Sequence, residues 1–228
     1  MNNLPSDRLS EFGLRAGGYH LVVARFEPEN HVDVIVDGYR SSGALLPLVV
    51  VGSAPYAADH VNRIADLAAS DSRIRMLGGV WDQEQLDQLY AHARTYLHGH
   101  SVGGTNPSLL RAMGAGTKVI AWDVIFNQEV LGTHGAYFSR ADSLGALIED
   151  AELSAERAAE IGMALQHRAR LLYNWDNVTQ SYERLAHRVA TGYSTHRQSS
   201  GRAGDSTWSL PDSTGRQPSE APSRGITL

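Results

Sequence analysis

Gly103-Gly104-Thr105-Asn106-Pro107-Ser108-Leu109-Leu110-Arg111-Ala112-Met113-Gly114-Ala115-Gly116-Thr117-Lys118-Val119-Ile120-Ala121 joins two glycines, a helix cap, a helix and a strand in one short run. Asn106 is a capping residue, and Pro107 suits the first helical turn, where its missing N–H is not needed. The amides behind the glycines have no partner within the helix and point at whatever docks there. The run therefore predicts an anion site for a phosphate, built from Gly103, Gly104, Thr105, Asn106 and Ser108.

Working outward, the same alternation recurs in both directions. Tyr19–Arg25 is a short aliphatic, β-branched run, followed by Pro28 and by helical spacing at Val32, Ile35, Val36 and Tyr39. Leu46–Gly52 is continuously apolar, as expected of a strand buried on both faces, and Ala57–Ala69 follows with Val61, Ile64 and Leu67 at helical spacing. Ile74–Leu77, Thr95–His98 and Lys118–Trp122 read as further strands, with helices at Gln83–Ala93 and Pro107–Ala115. Beyond them lie a candidate edge strand at Ala136–Phe138 and helices at Leu144–Asp150, Ala155–Tyr173 and Asp176–Ala190.

Strands alternating with helices of this length imply an α/β, Rossmann-like, doubly wound parallel sheet with right-handed crossovers and additional C-terminal helices. Ligands of such sheets bind beyond the carboxyl ends of the strands, at the topological switch point. That rule gathers the loops Arg25–Asn30, Gly52–Tyr56, Gly78–Trp81, Gly99–Asn106 and Asp123–Asn127.

The 228 residues, 42% of them hydrophobic, suit one domain with some excess. We expect an extension or linker over 1–18, the domain over 19–192, and a disordered tail over 193–228, where Ser, Gly, Arg, Thr and Pro leave almost nothing aliphatic to offset ordering entropy. A formal charge of −5 gives no global basic field of the kind a duplex nucleic-acid binder uses. With no cysteine there is no disulfide, thiolate metal site or cysteine nucleophile. The first residues hold no apolar signal core, and no stretch reaches membrane-spanning length, so a soluble, cytoplasmic chain is expected. Lys118 is the single lysine among 20 basic residues, which reads as codon bias. Ser-His-Asp order, a Walker-type lysine motif and Gly-x-Gly-x-x-Gly after the first strand are all missing, which removes support for hydrolase, kinase and dinucleotide readings.

Three separated motifs carry a resemblance: Val22-Val23-Ala24-Arg25-Phe26-Glu27-Pro28-Glu29-Asn30, the GGTNPSLLRAM run from Gly103 to Met113, and Asp123-Val124-Ile125-Phe126-Asn127-Gln128-Glu129-Val130-Leu131-Gly132. In family order, over roughly residues 19 to 190, they resemble the nucleotide-sugar half of GT-B glycosyltransferases, specifically the group-4 retaining enzymes and most closely their rhamnosyltransferase-like branch. The resemblance implies a UDP-, GDP- or dTDP-sugar as ligand, no metal or other cofactor, and catalysis that holds a leaving diphosphate through an arginine and a helix N-terminus. In the family the acceptor site sits on an N-terminal Rossmann half, and the first strand here corresponds to the first strand of the second domain, so the chain is expected either as a fragment or split-gene product that needs a separate N-terminal half or as a stand-alone domain. No catalytic residue is assigned.

By resemblance, Arg25 matches the phosphate-binding arginine; an ion pair with Glu27 or Glu29 is the plain alternative. The lysine that the broader family places some six residues on is replaced by Asn30 and His31. The family's paired glutamates fall on Gly103 and Arg111, and Arg111 stands where close relatives keep a carboxylate for the nucleotide ribose. A guanidinium accepts no hydroxyl, so altered donor binding or a new diphosphate contact is implied. His100 is read as a polar wall of the sugar pocket, and Gly79 and Val80 as backbone contacts of the base. Glu129 is either donor-proximal or structural. His98 and His100 supply too few ligands for a metal site. Ser101 and Thr105 are helix-entry hydroxyls lining the phosphate site, and Trp122, Tyr173 and Trp175 are expected as core or domain-interface aromatics. Two functions are carried forward: the donor half of a sugar transferase, and a non-catalytic or vestigial nucleotide-binding or interaction domain.

Overall fold

A computed structural model describes residues 4–54 and 58–192. The expected disordered tail, and residues 55 and 56 of the second loop, lie outside the described residues. Six strands form one sheet: β1 (His20–Val23), β2 (Leu48–Val51), β3 (Ile74–Gly78), β4 (Thr95–His98), β5 (Lys118–Trp122) and β6 (Ala136–Phe138). All pairs are parallel and the order is β3-β2-β1-β4-β5-β6. The chain builds outward from β1 to one edge and returns to build from β4 to the other. The switch point therefore falls between β1 and β4. The α/β, Rossmann-like, doubly wound fold read from the sequence is the fold observed.

The helices are α1 (Val32–Arg40), α2 (Ala58–Ala69), α3 (Gln83–His92), α4 (Pro107–Ala115), α5 (Ile125–Leu131), α6 (Ala141–Leu153) and α7 (Ala155–Leu172). Alternation along each strand sorts the core into two layers. Leu21, Val49, Val51, Tyr96, Val119 and Ala121 face one side, where Leu89 and Tyr90 of α3, Leu109 and Met113 of α4 and Leu165 of α7 cover them. Val22, Leu48, Val50, Leu97 and Ile120 face the other, under Ile35 and Val36 of α1, Ile64 of α2 and Leu144 and Ile148 of α6. Strands buried on both faces explain why they read as unbroken apolar runs.

The segment before β1, expected as an extension, packs against α3: Asp7–Phe12 forms a 3-10 turn and Leu9 and Leu14 join the first layer. Its two apolar anchors are too few to show a period. Helix α5 starts at Ile125, inside the expected loop Asp123–Asn127; its seven residues make two turns without a side-chain cap, too short a run to show a period. Helix α6 starts three residues before the expected Leu144, at Ala141.

Helix α8 (Trp175–Ala190) belongs to a second unit. Asn174 caps it by accepting from the Asn177 N–H at 2.8 Å. Trp175, Tyr182, Leu185 and Val189 are exposed, so Trp175 is not a core aromatic among the described residues. Trp122 and Tyr173 pack against buried clusters as expected.

Candidate functional site

A cleft of about 410 Å³ opens at the carboxyl ends of β1 to β4, across the switch point. Val23, Ala24 and Arg25 line it from β1, Gly52 and Ser53 from β2, Gly79, Val80 and Trp81 from β3, and Leu97 to His100 from β4. Asn106, Pro107 and Ser108 close it with the start of α4. Two glycines permit this convergence. A side chain on Gly52, held at φ +144, would meet the Ala24 carbonyl, and one on Gly99 would meet the Asn30 carbonyl. Any other residue would push the β1 loop away from the loops after β2 and β4.

The expected cap is present. Asn106 Oδ1 accepts from the Ser108 N–H at 2.9 Å and from its hydroxyl at 2.7 Å, with Pro107 at the first helical position. The Ser108 hydroxyl in turn accepts from Tyr96 Oη at 3.0 Å, which ties the helix start to β4. Gly103, at φ +92, and Gly104 precede the cap with no side chain in the way, so an anion reaches the α4 N-terminus without crossing one. Arg25 is exposed in the same lining and brings permanent positive charge to the opening.

Histidines furnish the floor. His98 is 3% exposed and its Nε2 has no hydrogen-bond partner in the protein. Burial holds its pKa down at about 3, with His100 adding to the effect, so the ring is neutral. The His98 and His100 ring centres lie 6.0 Å apart. His100 also titrates below the ordinary value, chiefly through burial. Among the described residues no three His, Asp or Glu side chains gather as a metal-ligand set.

Of the residues expected at the site, Arg25, Gly79, Val80, His100, Asn106 and Ser108 line one cleft, and Gly103, Gly104 and Thr105 form the loop entering it. Ser101 does not cap: its N–H and hydroxyl both donate to the Glu29 carbonyl, at 2.9 and 3.1 Å, fastening the β4 loop to the β1 loop. Arg111 and Glu129 lie outside the lining. Arg111 turns to α3 and donates to Asp87 Oδ1 from Nε at 3.0 Å and Nη2 at 2.8 Å. Glu129 is exposed on α5, and its carbonyl accepts from Arg168.

Sequence reasoning passed over Tyr96, His98 as a cleft residue, Asn30 as the partner of His100, and Trp81. Tyr96 and His98 sit on a buried strand, where side chains read as core. Trp81 is 90% exposed at the mouth of the cleft, and only its place in the Gly78–Trp81 loop marked it.

A Rossmann-like sheet with an anion-ready helix N-terminus at its switch point defines a nucleotide- or phosphate-binding class of α/β domain. The chain belongs to the group 1 glycosyl transferases, whose family model matches residues 18–157. It is 27% identical over 177 residues to the O-antigen chain mannosyltransferase B of Escherichia coli, covering 75% of this chain and 46% of that protein. The chain thus spans about half the length of the curated relative it matches. The structure of Anabaena HepE in complex with UDP-glucose superposes with a TM-score of 0.70 at 17% identity, over 82% of this chain and 52% of that one. The C-terminal domain of LpcC, a group 1 glycosyl transferase from Francisella tularensis, superposes with a TM-score of 0.67 at 12% identity, over 77% of this chain and 95% of that one. No described helix is long and apolar enough to cross a membrane.

Proposed function

We propose that the chain is the donor-binding half of a retaining glycosyltransferase. It takes a UDP-, GDP- or dTDP-sugar and, paired with an N-terminal Rossmann domain, passes a hexose or a deoxyhexose such as rhamnose to a glycan acceptor in the cytoplasm. The carrying observation is the capped N-terminus of α4 opening, with Arg25, into a cleft at the switch point. As the glycosidic bond breaks, negative charge grows on the leaving diphosphate. Fixed amide dipoles and a guanidinium aimed at that charge stabilise it without reorganising. Gly79 and Val80 receive the base, and His98 and His100 stand near the sugar. The mannosyltransferase relative and the UDP-glucose complex of HepE support a nucleotide-sugar ligand.

Calorimetry with UDP, GDP, dTDP and their sugars tests this. Saturable binding of one series is expected, and flat titrations throughout would contradict it. One observation favours a second reading, a non-catalytic nucleotide-binding or interaction domain: the residue in the family's ribose-carboxylate position, Arg111, is committed to Asp87. Sugar transfer by the chain mixed with a lone N-terminal Rossmann domain, where one is encoded beside it, separates the two.

A further inference from the structure

His98, Gly99 and His100 run from β4 into the cleft, and the close approach at Gly99 sets Asn30 against His100. Asn30 is 8% exposed. Its Nδ2 donates to the Arg25 carbonyl at 2.8 Å, which fixes the orientation of the amide. Its Oδ1 then faces His100 Nδ1 at 2.8 Å. An amide oxygen has no proton to give, so the hydrogen between them belongs to His100 Nδ1. In the neutral ring Nε2 is consequently a bare acceptor.

That nitrogen is aimed at the ligand side. It lies 3.8 Å from the point where a Cβ on Gly103 would stand, so it faces the glycine loop in front of α4. The backbone around it is pinned: the His100 carbonyl accepts from Asn127 Nδ2 at 3.0 Å, and Ser101 is fastened to Glu29. Burial, Arg25 and His31 oppose protonation of the ring, while Glu29 and the Val102 carbonyl favour it, and the balance lies below the ordinary histidine value. Near neutral pH the diphosphate of a nucleotide sugar, esterified at both ends, carries no proton and cannot partner a bare nitrogen. A hydroxyl can.

We propose that His100 Nε2 accepts a hydrogen bond from a hydroxyl of the glycosyl group of a bound nucleotide sugar, and that Asn30 is the positioning residue that sets this tautomer. The proposal rests on the donor-binding reading above. His100 then reads whether a sugar with a suitably placed hydroxyl is attached, while Arg25 and α4 read the diphosphate.

The test titrates wild type, His100→Ala, His100→Gln and Asn30→Ala with UDP and UDP-glucose, with GDP and GDP-mannose, and with dTDP and dTDP-glucose. In the nucleotide series that binds, His100→Ala should weaken the sugar nucleotide about five- to tenfold and the bare diphosphate less than twofold. His100→Gln, whose amide oxygen comes near the Nε2 position, should restore most of the loss. Nitrogen-15 NMR of the ligand-free protein should show His100 protonated at Nδ1 in wild type and as a tautomer mixture in Asn30→Ala. Equal weakening of diphosphate and sugar nucleotide would overturn the proposal while leaving the donor reading intact, because the contact would then be to ribose or purely structural. A wild-type ring protonated at Nε2 would overturn it as well. Failure of wild type to bind any of the three series would remove the donor reading and this proposal together.

Discussion

Arg111 donates twice to Asp87, and its guanidinium carbon lies 5.2 Å from the centre of the Tyr90 ring. The pair fastens α4 to α3 and stands outside the cleft lining. Arg111→Ala should therefore cost about 1–2 kcal/mol of stability, since both side chains are three-quarters buried, and should leave nucleotide affinity unchanged. Arg111→Glu sets two carboxylates together and should cost more. A tenfold loss of nucleotide binding in a fully folded Arg111→Ala would instead make this arginine a diphosphate ligand.

Arg25 should behave in the opposite way. It is exposed at the cleft, so Arg25→Ala should shift the melting temperature little. Its loss should weaken nucleoside diphosphate binding about tenfold or more, the scale of a charge-assisted contact, and the weakening should shrink with added salt. Unchanged affinity would remove Arg25 from the phosphate clamp.

Asn106 serves both fold and site. Asn106→Ala should destabilise the protein by about 1 kcal/mol through the lost cap. It should also weaken diphosphate binding, because Ser108 loses both bonds to Oδ1 and the amides are no longer held in place. Asn106→Asp should restore the stability but not the affinity, since a carboxylate at the anion site repels the ligand. Equal affinity in Asn106→Asp and wild type would place the anion elsewhere.

Acid should destabilise the fold, and the sign follows from the groups involved. His98, ordinarily near 6.5, is held at about 3, so below pH 6.5 the unfolded chain binds a proton that the folded chain refuses. Stability then falls by about 1.4 kcal/mol per pH unit from this residue until its folded pKa is reached. His20, buried against Thr95 and Glu152, is lowered chiefly by burial and adds a loss of the same sign. Glu152, also lowered despite burial because His20 and the Leu45 and Leu46 amides bond it, adds its own loss below the ordinary carboxylate range. Urea unfolding should show the chain about 2 kcal/mol weaker at pH 5 than at pH 7 from His98 alone. His98→Phe should flatten the profile; a slope parallel to wild type would show that His98 does not carry it.

The β–α alternation was legible because the inner strands have two buried faces and the helices lying on the sheet one, which leaves runs such as Leu48–Val51 beside the spaced Val32, Ile35, Val36 and Tyr39. The cap at Asn106 was legible because capping is a local affair of three residues. The direction of Arg111 was not, since it depends on Asp87, 24 residues away on another helix. Asn30 and His100, 70 residues apart, meet only where the loops after β1 and β4 touch. Seven-residue α5 lacked the length to declare a period.

The most direct measurement is a crystal structure of the chain soaked with UDP, GDP or dTDP, whichever calorimetry selects. The diphosphate is expected against the N-terminal amides of α4 and the Arg25 guanidinium, with the base beside Gly79 and Val80. A nucleotide bound instead in the shallow depression lined by Arg40, Asp59, Arg63 and Asp66 would contradict a donor site at the switch point.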